Sequence, residues 1–252
     1  ERTTEKVEFG SCVRKECEVY KEQIPVETLV LTFFNKLKLK SNIFKIVYSG
    51  VMDTLVVPTN FCEDTRFLEA LLPRLIDEEK SVLVDFLSAI DTGIKDIDYD
   101  DSEKEVKFTT YHRGKDGELH PLNLFFESEG TIKSIMLFIY ARTAILYNKS
   151  IFVDELNIKL HPLLLKFIID LFYENESQAQ LIYTTHDTTL LDKKFFRRDQ
   201  ILFVQKDEFG YSELFALSDF KVRSDASFER DYLAGVYGGI PWLKEFSMRE
   251  GK

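Results

Sequence analysis

A chain of 252 residues that is 44% hydrophobic and 30% charged, with 22 Phe, is long enough to bury one large core, and this composition excludes the disordered and fibrous classes. The formal net charge of −10 excludes a generally basic, nucleic-acid-coating surface, though not a local basic patch. Cys12, Cys17 and Cys62 are an odd, sparse set that fits a reducing compartment better than a disulfide framework, and no second Cys or His pair stands at zinc-ligand spacing.

No run approaches the ~20 apolar residues that a membrane span requires, and no signal-peptide pattern is present, so a cytoplasmic location is expected. The chain starts Glu1-Arg2-Thr3 rather than with Met, which suggests a fragment, a processed product or part of something longer. Residues 1–62 carry β-like runs, "VETLVLTFF" (26–34) and "IFKIVYSGVMDTLVV" (43–57), and form a separate N-terminal segment, either a lobe or a remnant, ahead of a main domain at 63–252. Over 64–90 a helix is expected, with Leu68, Leu71, Leu72, Leu75 and Ile76 on one face, Asp64 or Thr65 as cap, and a kink or break at Pro73. Val106, Phe108 and Thr110 then alternate with polar neighbours, "GKDG" (114–117) is a turn signal, and "LHPLNLFF" (119–126) reads as the return strand of a hairpin.

An α/β series follows. It predicts a helix over 129–148, a strand over 150–154, a helix over 161–174, a strand over 180–184, a helix over 187–196 and a strand over 200–205. A second hairpin turns near 207–210, and "RDYLAGVYGGIPW" (230–242) reads as a short helix ending in glycines and a proline. The fold class is therefore α/β, a mostly parallel sheet flanked by helices, with antiparallel hairpins and a helical subdomain.

In open parallel sheets, ligands bind outside the carboxyl ends of the strands. Asp154 and Glu155 end one predicted strand, and Thr184, Thr185 and His186 end the next. In an ATPase the first carboxylate holds Mg²⁺, the second orients or deprotonates the attacking water, and the histidine reads the γ-phosphate. Two carboxylates ahead of a helix also serve as plain dipole partners, and a histidine at a strand end is often structural. Upstream, "FFESEGTIKSIMLF" (125–138) turns through Ser128, Glu129 and Gly130 into a helix expected to be amphipathic. That turn can offer backbone N–H groups to a phosphate or simply cap the helix with Ser128.

The order "ESEGT", about twenty helical residues, "IFVDELNIKLHP" and "QLIYTTHDTTLLD" resembles the head of ABC-type P-loop NTPases, in the branch shared with SMC proteins. More narrowly it is similar to the bacterial abortive-infection and overcoming-lysogenization-defect ATPases, over about residues 85–242. The resemblance implies that Ser128 and Gly130 form the signature that touches ATP on the opposite head, with Glu129 departing from the usual glycine. It makes Asp154 the Walker B magnesium ligand, Glu155 the catalytic base, Asn157 to His161 the D-loop where heads meet, and His186 the switch histidine. It further implies ATP and Mg²⁺ as cofactors, a second ATPase head as homo-oligomeric partner, and a separate effector nuclease, often TOPRIM-type, through which nucleic acid would be reached.

A Walker A loop requires G-x4-GK[ST], and no such string occurs in the 252 residues. Gly130-Thr131-Ile132-Lys133-Ser134 lacks the spacing. The phosphate cradle is thus expected outside this chain, which alone should bind and hydrolyse ATP poorly or not at all. Two other readings stand beside the anti-phage ATPase. One is a non-hydrolysing module completing a partner's ATP site, and the other is a metal-dependent nuclease using Asp154, Glu155, His186 and Asp187. The paired phenylalanines (33–34, 125–126, 195–196) read as core, and Lys193, Lys194, Arg197 and Arg198 as solvated surface or a partner contact. His112 and His120 flank a turn without an assigned role, as do Gly235, Gly238 and Gly239 in the tail.

Overall fold

A computed structural model describes residues 11–25, 28–57, 65–174, 176–222 and 227–241. In chain order the helices and strands are α1 (Arg14–Cys17), α2 (Val30–Asn35), α3 (Ile43–Met52), β1 (Leu55–Val57), α4 (Thr65–Ala89), β2 (Ile94–Asp100), β3 (Lys107–Arg113) and β4 (Leu119–Asn123). They continue with α5 (Glu129–Tyr147), β5 (Ser150–Val153), α6 (Pro162–Glu174), β6 (Gln180–Tyr183), β7 (Leu202–Lys206), β8 (Ser212–Ala216) and α7 (Phe228–Leu233). The chain divides into two units, Glu1–Asp154 with Asp170–Tyr183, and Glu155–Ile169 with Thr184–Lys252.

The first unit contains the three-stranded parallel sheet β1-β5-β6 and the antiparallel sheet β2-β3-β4. Among the described residues its amino-terminal part is helical where β-like runs were expected, with Leu55–Val57 the only strand there, and residues 26–27 of the first run lie outside the described residues. The apolar residues Val30, Phe33, Phe34 and Leu37 recur at three- and four-residue spacing and collect with Cys17. Phe34 is buried, stacks on Phe44 at 4.8 Å between centroids and meets Phe33 and Tyr20 edge-on. Burial pushes the Cys17 thiol above its ordinary pKa, with Glu16 and Cys12 adding to the effect, so it behaves as a packed apolar group. Cys62 and Asp64 lie outside the described residues.

Helix α4 buries Leu68, Leu72 and Ile76, while Leu71 is exposed. Its break comes at Glu79 (φ −144°, ψ 33°) and not at Pro73. There the Glu79 carboxylate accepts a 2.7 Å hydrogen bond from Arg142 Nε of α5, so an inter-helix ion pair sits at the place where the helical path is lost. Beyond the break, Leu83 and Leu87 are buried where α4 packs on β2, and Phe86 stacks on Phe138 of α5 at 4.4 Å. The hairpin expected around "GKDG" is present as β3–β4, and β2 adds a third strand. Helix α5 was expected to be amphipathic, yet Lys133 to Ile139 are buried without interruption, so no face of that stretch meets solvent. Asn148 ends it at φ 50° and accepts the Gln178 N–H at 2.8 Å, an αL cap suited to asparagine.

The second unit holds the hairpin β7–β8 on a core of Ile201, Phe203, Leu217, Phe228 and Tyr237. The helix expected over 187–196 is replaced by a short 3₁₀ turn at Thr188–Leu190, because the Asp187 carboxylate accepts the Thr189 N–H and closes a tight turn instead. The tail glycines also find their reason. Gly239 (φ +67°) donates its N–H to Gln205 Oε1 at 3.1 Å, and a Cβ on Gly238 (φ +69°) would stand 2.5 Å from that same oxygen.

Two outcomes follow for stability. The Arg142 guanidinium, by its hydrogen bond, holds the Glu79 carboxyl below its usual pKa. The resulting stability is present above the ordinary carboxylate pKa and is lost as pH falls through the lowered one. Glu79→Gln should therefore lower unfolding free energy by about 0.5–1 kcal/mol at pH 7, and denaturation midpoints of the two proteins should converge once the pH falls below that lowered pKa. Gly238→Ala should cost about 1–2 kcal/mol by chemical denaturation, from the positive φ together with the displaced Gln205.

Candidate functional site

The register of the parallel sheet sets the positions of the predicted site residues. Val57, Val153 and Tyr183 lie side by side at the carboxyl ends of β1, β5 and β6. Asp154 follows at once, its N–H donating to the Val57 carbonyl at 3.2 Å, and it ends the first segment of the first unit as a half-buried carboxylate.

Glu155 opens the second unit. Its N–H donates to Thr184 Oγ1 at 2.7 Å, and the next N–H, of Leu156, donates to the Thr184 carbonyl at 3.0 Å. One threonine thereby fixes the peptide groups on both sides of Glu155. Glu155 pays for this with φ +49°, the left-handed region that L-residues avoid at a cost of roughly 1–2 kcal/mol. Strain of this kind is characteristic of residues that a site must aim. His186 Nε2 lies 4.0 Å from Glu155 Oε1, too far for a direct hydrogen bond, and its side chain is 91% exposed. A carboxylate and an imidazole are thus presented together to solvent, a base beside a hydrogen-bond donor.

After Glu155 the chain makes two successive turns, with Ile158 N–H donating to the Glu155 carbonyl and Leu160 N–H to the Asn157 carbonyl, both at 3.1 Å. Leu156 is fully buried and anchors them, and Lys159 also takes a positive φ, +61°. Asn157 Oδ1 is buried with no hydrogen-bond partner among the described residues. His161 helps to start α6. Its Nδ1 accepts the Leu163 N–H at 3.2 Å, and its carbonyl accepts the N–H groups of Leu164 and Leu165.

In the first unit, Ser128 caps α5, its Oγ accepting the Thr131 N–H at 3.0 Å and lying 2.8 Å from Thr131 Oγ1. Gly130 stands in the opening turn of that helix, where N–H groups have no intrahelical acceptor. Its carbonyl accepts from Ser134 Oγ at 2.6 Å. One residue before Ser134, Lys133 is only 1% exposed. Phe126, expected in the core, is 79% exposed, since the 3₁₀ turn at Leu124–Phe126 buries Leu124 and turns Phe126 outward.

Among the described residues, no three His, Cys, Asp or Glu side chains form a group that could hold a metal. Asp187, the fourth ligand of the nuclease reading, accepts from both the N–H and the hydroxyl of Thr189, at 2.9 and 2.6 Å. Its charge is used to build a turn. The basic cluster is partly neutralised, as Arg197 pairs with Asp199 at 2.9 Å. Lys166 Nζ lies over the Phe195 ring, 4.7 Å from its centroid.

Residues 37–192, which span β1, β5, β6 and every predicted site residue, match the family described as an AAA domain, putative AbiEii toxin, Type IV TA system. The chain belongs to that family. No curated protein matches it. Membership in this AAA family, with an α/β fold built on a parallel sheet between helices, assigns a nucleotide-binding, ATPase-like function in general terms. Among the described residues no helix is long and apolar enough to cross a membrane. Sequence reasoning reached the strand ends but missed Thr184 as the acceptor that holds Glu155. The signal was a hydroxyl residue directly after the neighbouring parallel strand.

The strain at Glu155 can be measured. Glu155→Gly should be more stable than Glu155→Ala by about 1 kcal/mol in denaturant titration, because both lose the carboxylate while only glycine accepts φ +49° without cost.

Proposed function

We propose that this chain is the carboxyl-terminal part of an ABC-type, SMC-like ATPase head of an anti-phage, abortive-infection system. Residues 63–252 carry the head elements, and residues 1–62 are a lobe or remnant attached to them. Two heads would close around ATP, and their opening after hydrolysis would control a separate effector nuclease, which alone would touch nucleic acid. The protein would act in the cytoplasm, without a membrane partner.

Half-buried Glu155 and exposed His186, side by side after two parallel strands, are the observation that carries this reading. Asp154 would hold Mg²⁺, an ion that supplies charge neutralisation and orientation of the phosphates when bound. Glu155 would accept a proton from the attacking water, and His186 would donate a hydrogen bond toward the γ-phosphate. Ser128 and Gly130 would face the nucleotide of the opposite head. The loop from Asn157 to His161 would meet that head. The phosphate-wrapping loop would come from outside residues 1–252, which contain no G-x4-GK[ST] string.

The missing string equally favours a second reading, in which the chain completes a partner's ATP site without hydrolysing ATP itself. Glu155→Gln separates the two in an assembly that supplies the phosphate-binding loop. Hydrolysis at Glu155 predicts at least a hundredfold loss of turnover, with ATP-bound dimers accumulating in light scattering. Undiminished turnover would assign the chain to the non-hydrolysing role.

A further inference from the structure

Glu127, directly before Ser128, carries a side chain only 9% exposed. Its Oε1 receives two hydrogen bonds from β3, one from the Thr110 hydroxyl at 2.5 Å and one from His112 at 2.7 Å. Facing a carboxylate, His112 Nε2 carries the proton. Thr110 is fully buried, and its hydroxyl also lies 3.1 Å from the Leu122 carbonyl of β4. It has one proton to give, and the shorter contact takes it. The carboxylate thus leaves the start of α5 and enters the antiparallel sheet, where it is secured by a hydroxyl and an imidazole on the same strand, two residues apart.

Burying a carboxylate this deeply is costly unless its hydrogen bonds are made. A helix start needs only the cap, which Ser128 already provides through Thr131. The second fastening therefore acts on something the cap does not control, namely where the turn sits relative to β3. With Ser128 Oγ committed to the cap, what the turn can offer a ligand is chiefly its backbone N–H groups. Their direction is set by the position of the whole turn and not by any rotamer.

We propose that Glu127 is a positioning residue that locks the Ser128–Gly130 turn to the hairpin sheet through Thr110 and His112, fixing the direction in which its N–H groups point. Its role in turnover rests on the reading of this turn as the contact to nucleotide on an opposite head. The lock itself does not depend on that reading.

The test has two arms. By hydrogen exchange, Glu127→Ala should accelerate the amides of Thr131 and Ile132, the two that bond to Ser128, at least tenfold while those of 136–144 and of β5 keep their protection. Glu127→Gln, whose amide oxygen can still accept from Thr110 and His112, should restore most of it. In the full ATPase with its phosphate-binding loop, Glu127→Ala should lower kcat at least tenfold with less than a twofold change in KM, since each head's own nucleotide pocket is untouched, and Glu127→Gln should again recover. Unchanged exchange in Glu127→Ala overturns the lock, and should that variant not fold, full loss of protection in Glu127→Gln would overturn acceptance by Oε1. Accelerated exchange with unchanged kcat overturns the positioning role. Absence of turnover in the unsubstituted ATPase counts against the functional reading instead, and exchange alone then decides the lock.

Discussion

The hydrogen bond from the Glu155 N–H to Thr184 Oγ1 is the constraint on which the candidate site depends. Parallel pairing of β5 with β6 brings the two strands to the same end, but a ladder alone does not dictate where the chain turns next. The threonine does, by accepting one N–H with its side chain and the following one with its carbonyl. The backbone is thereby driven into a conformation that glutamate avoids. What is gained is a carboxylate held 4.0 Å from an imidazole, at a position where a helix-capping role would not have required any strain.

The same economy of fastening recurs in the first unit, where short polar contacts and large apolar ones divide the work. Stacked aromatic pairs join the helices, such as Phe86 with Phe138 and Phe67 with Tyr140. These contacts set how closely the helices approach and how much apolar surface they bury. Orientation comes from single ion pairs and hydrogen bonds: Arg142 on Glu79, and Thr110 with His112 on Glu127.

Much of this architecture is legible in the residues. The run of α5, β5, α6 and β6 announces itself because "SIFV" and "QLIY" are short apolar strands between long helical periods, and the glycine-bounded "GKDG" marks its hairpin. The positions of Asp154, Glu155 and His186 follow from those strand ends. Other features depend on contacts that sequence does not display. "IFKIVYSGVM" is rich in β-branched residues and reads as a strand, yet it forms helix α3, whose Phe44 packs against Phe34. "IKDIDYD" looks too acidic for a strand and becomes one by pairing with β3. Pro73 sits in α4 without breaking it, while Glu79, an ordinary helix former, takes the break beside Arg142. The strain at Glu155 and the burial of Glu127 are likewise products of neighbours distant in the chain.

The sealed position of Lys133 has a chemical consequence. Amine-selective acylating reagents modify a lysine only when its nitrogen meets solvent, and this one is 1% exposed inside the opening turns of α5. Its labelling rate therefore measures how often those turns come apart, a clock for local opening built into the helix that carries Ser128 and Gly130.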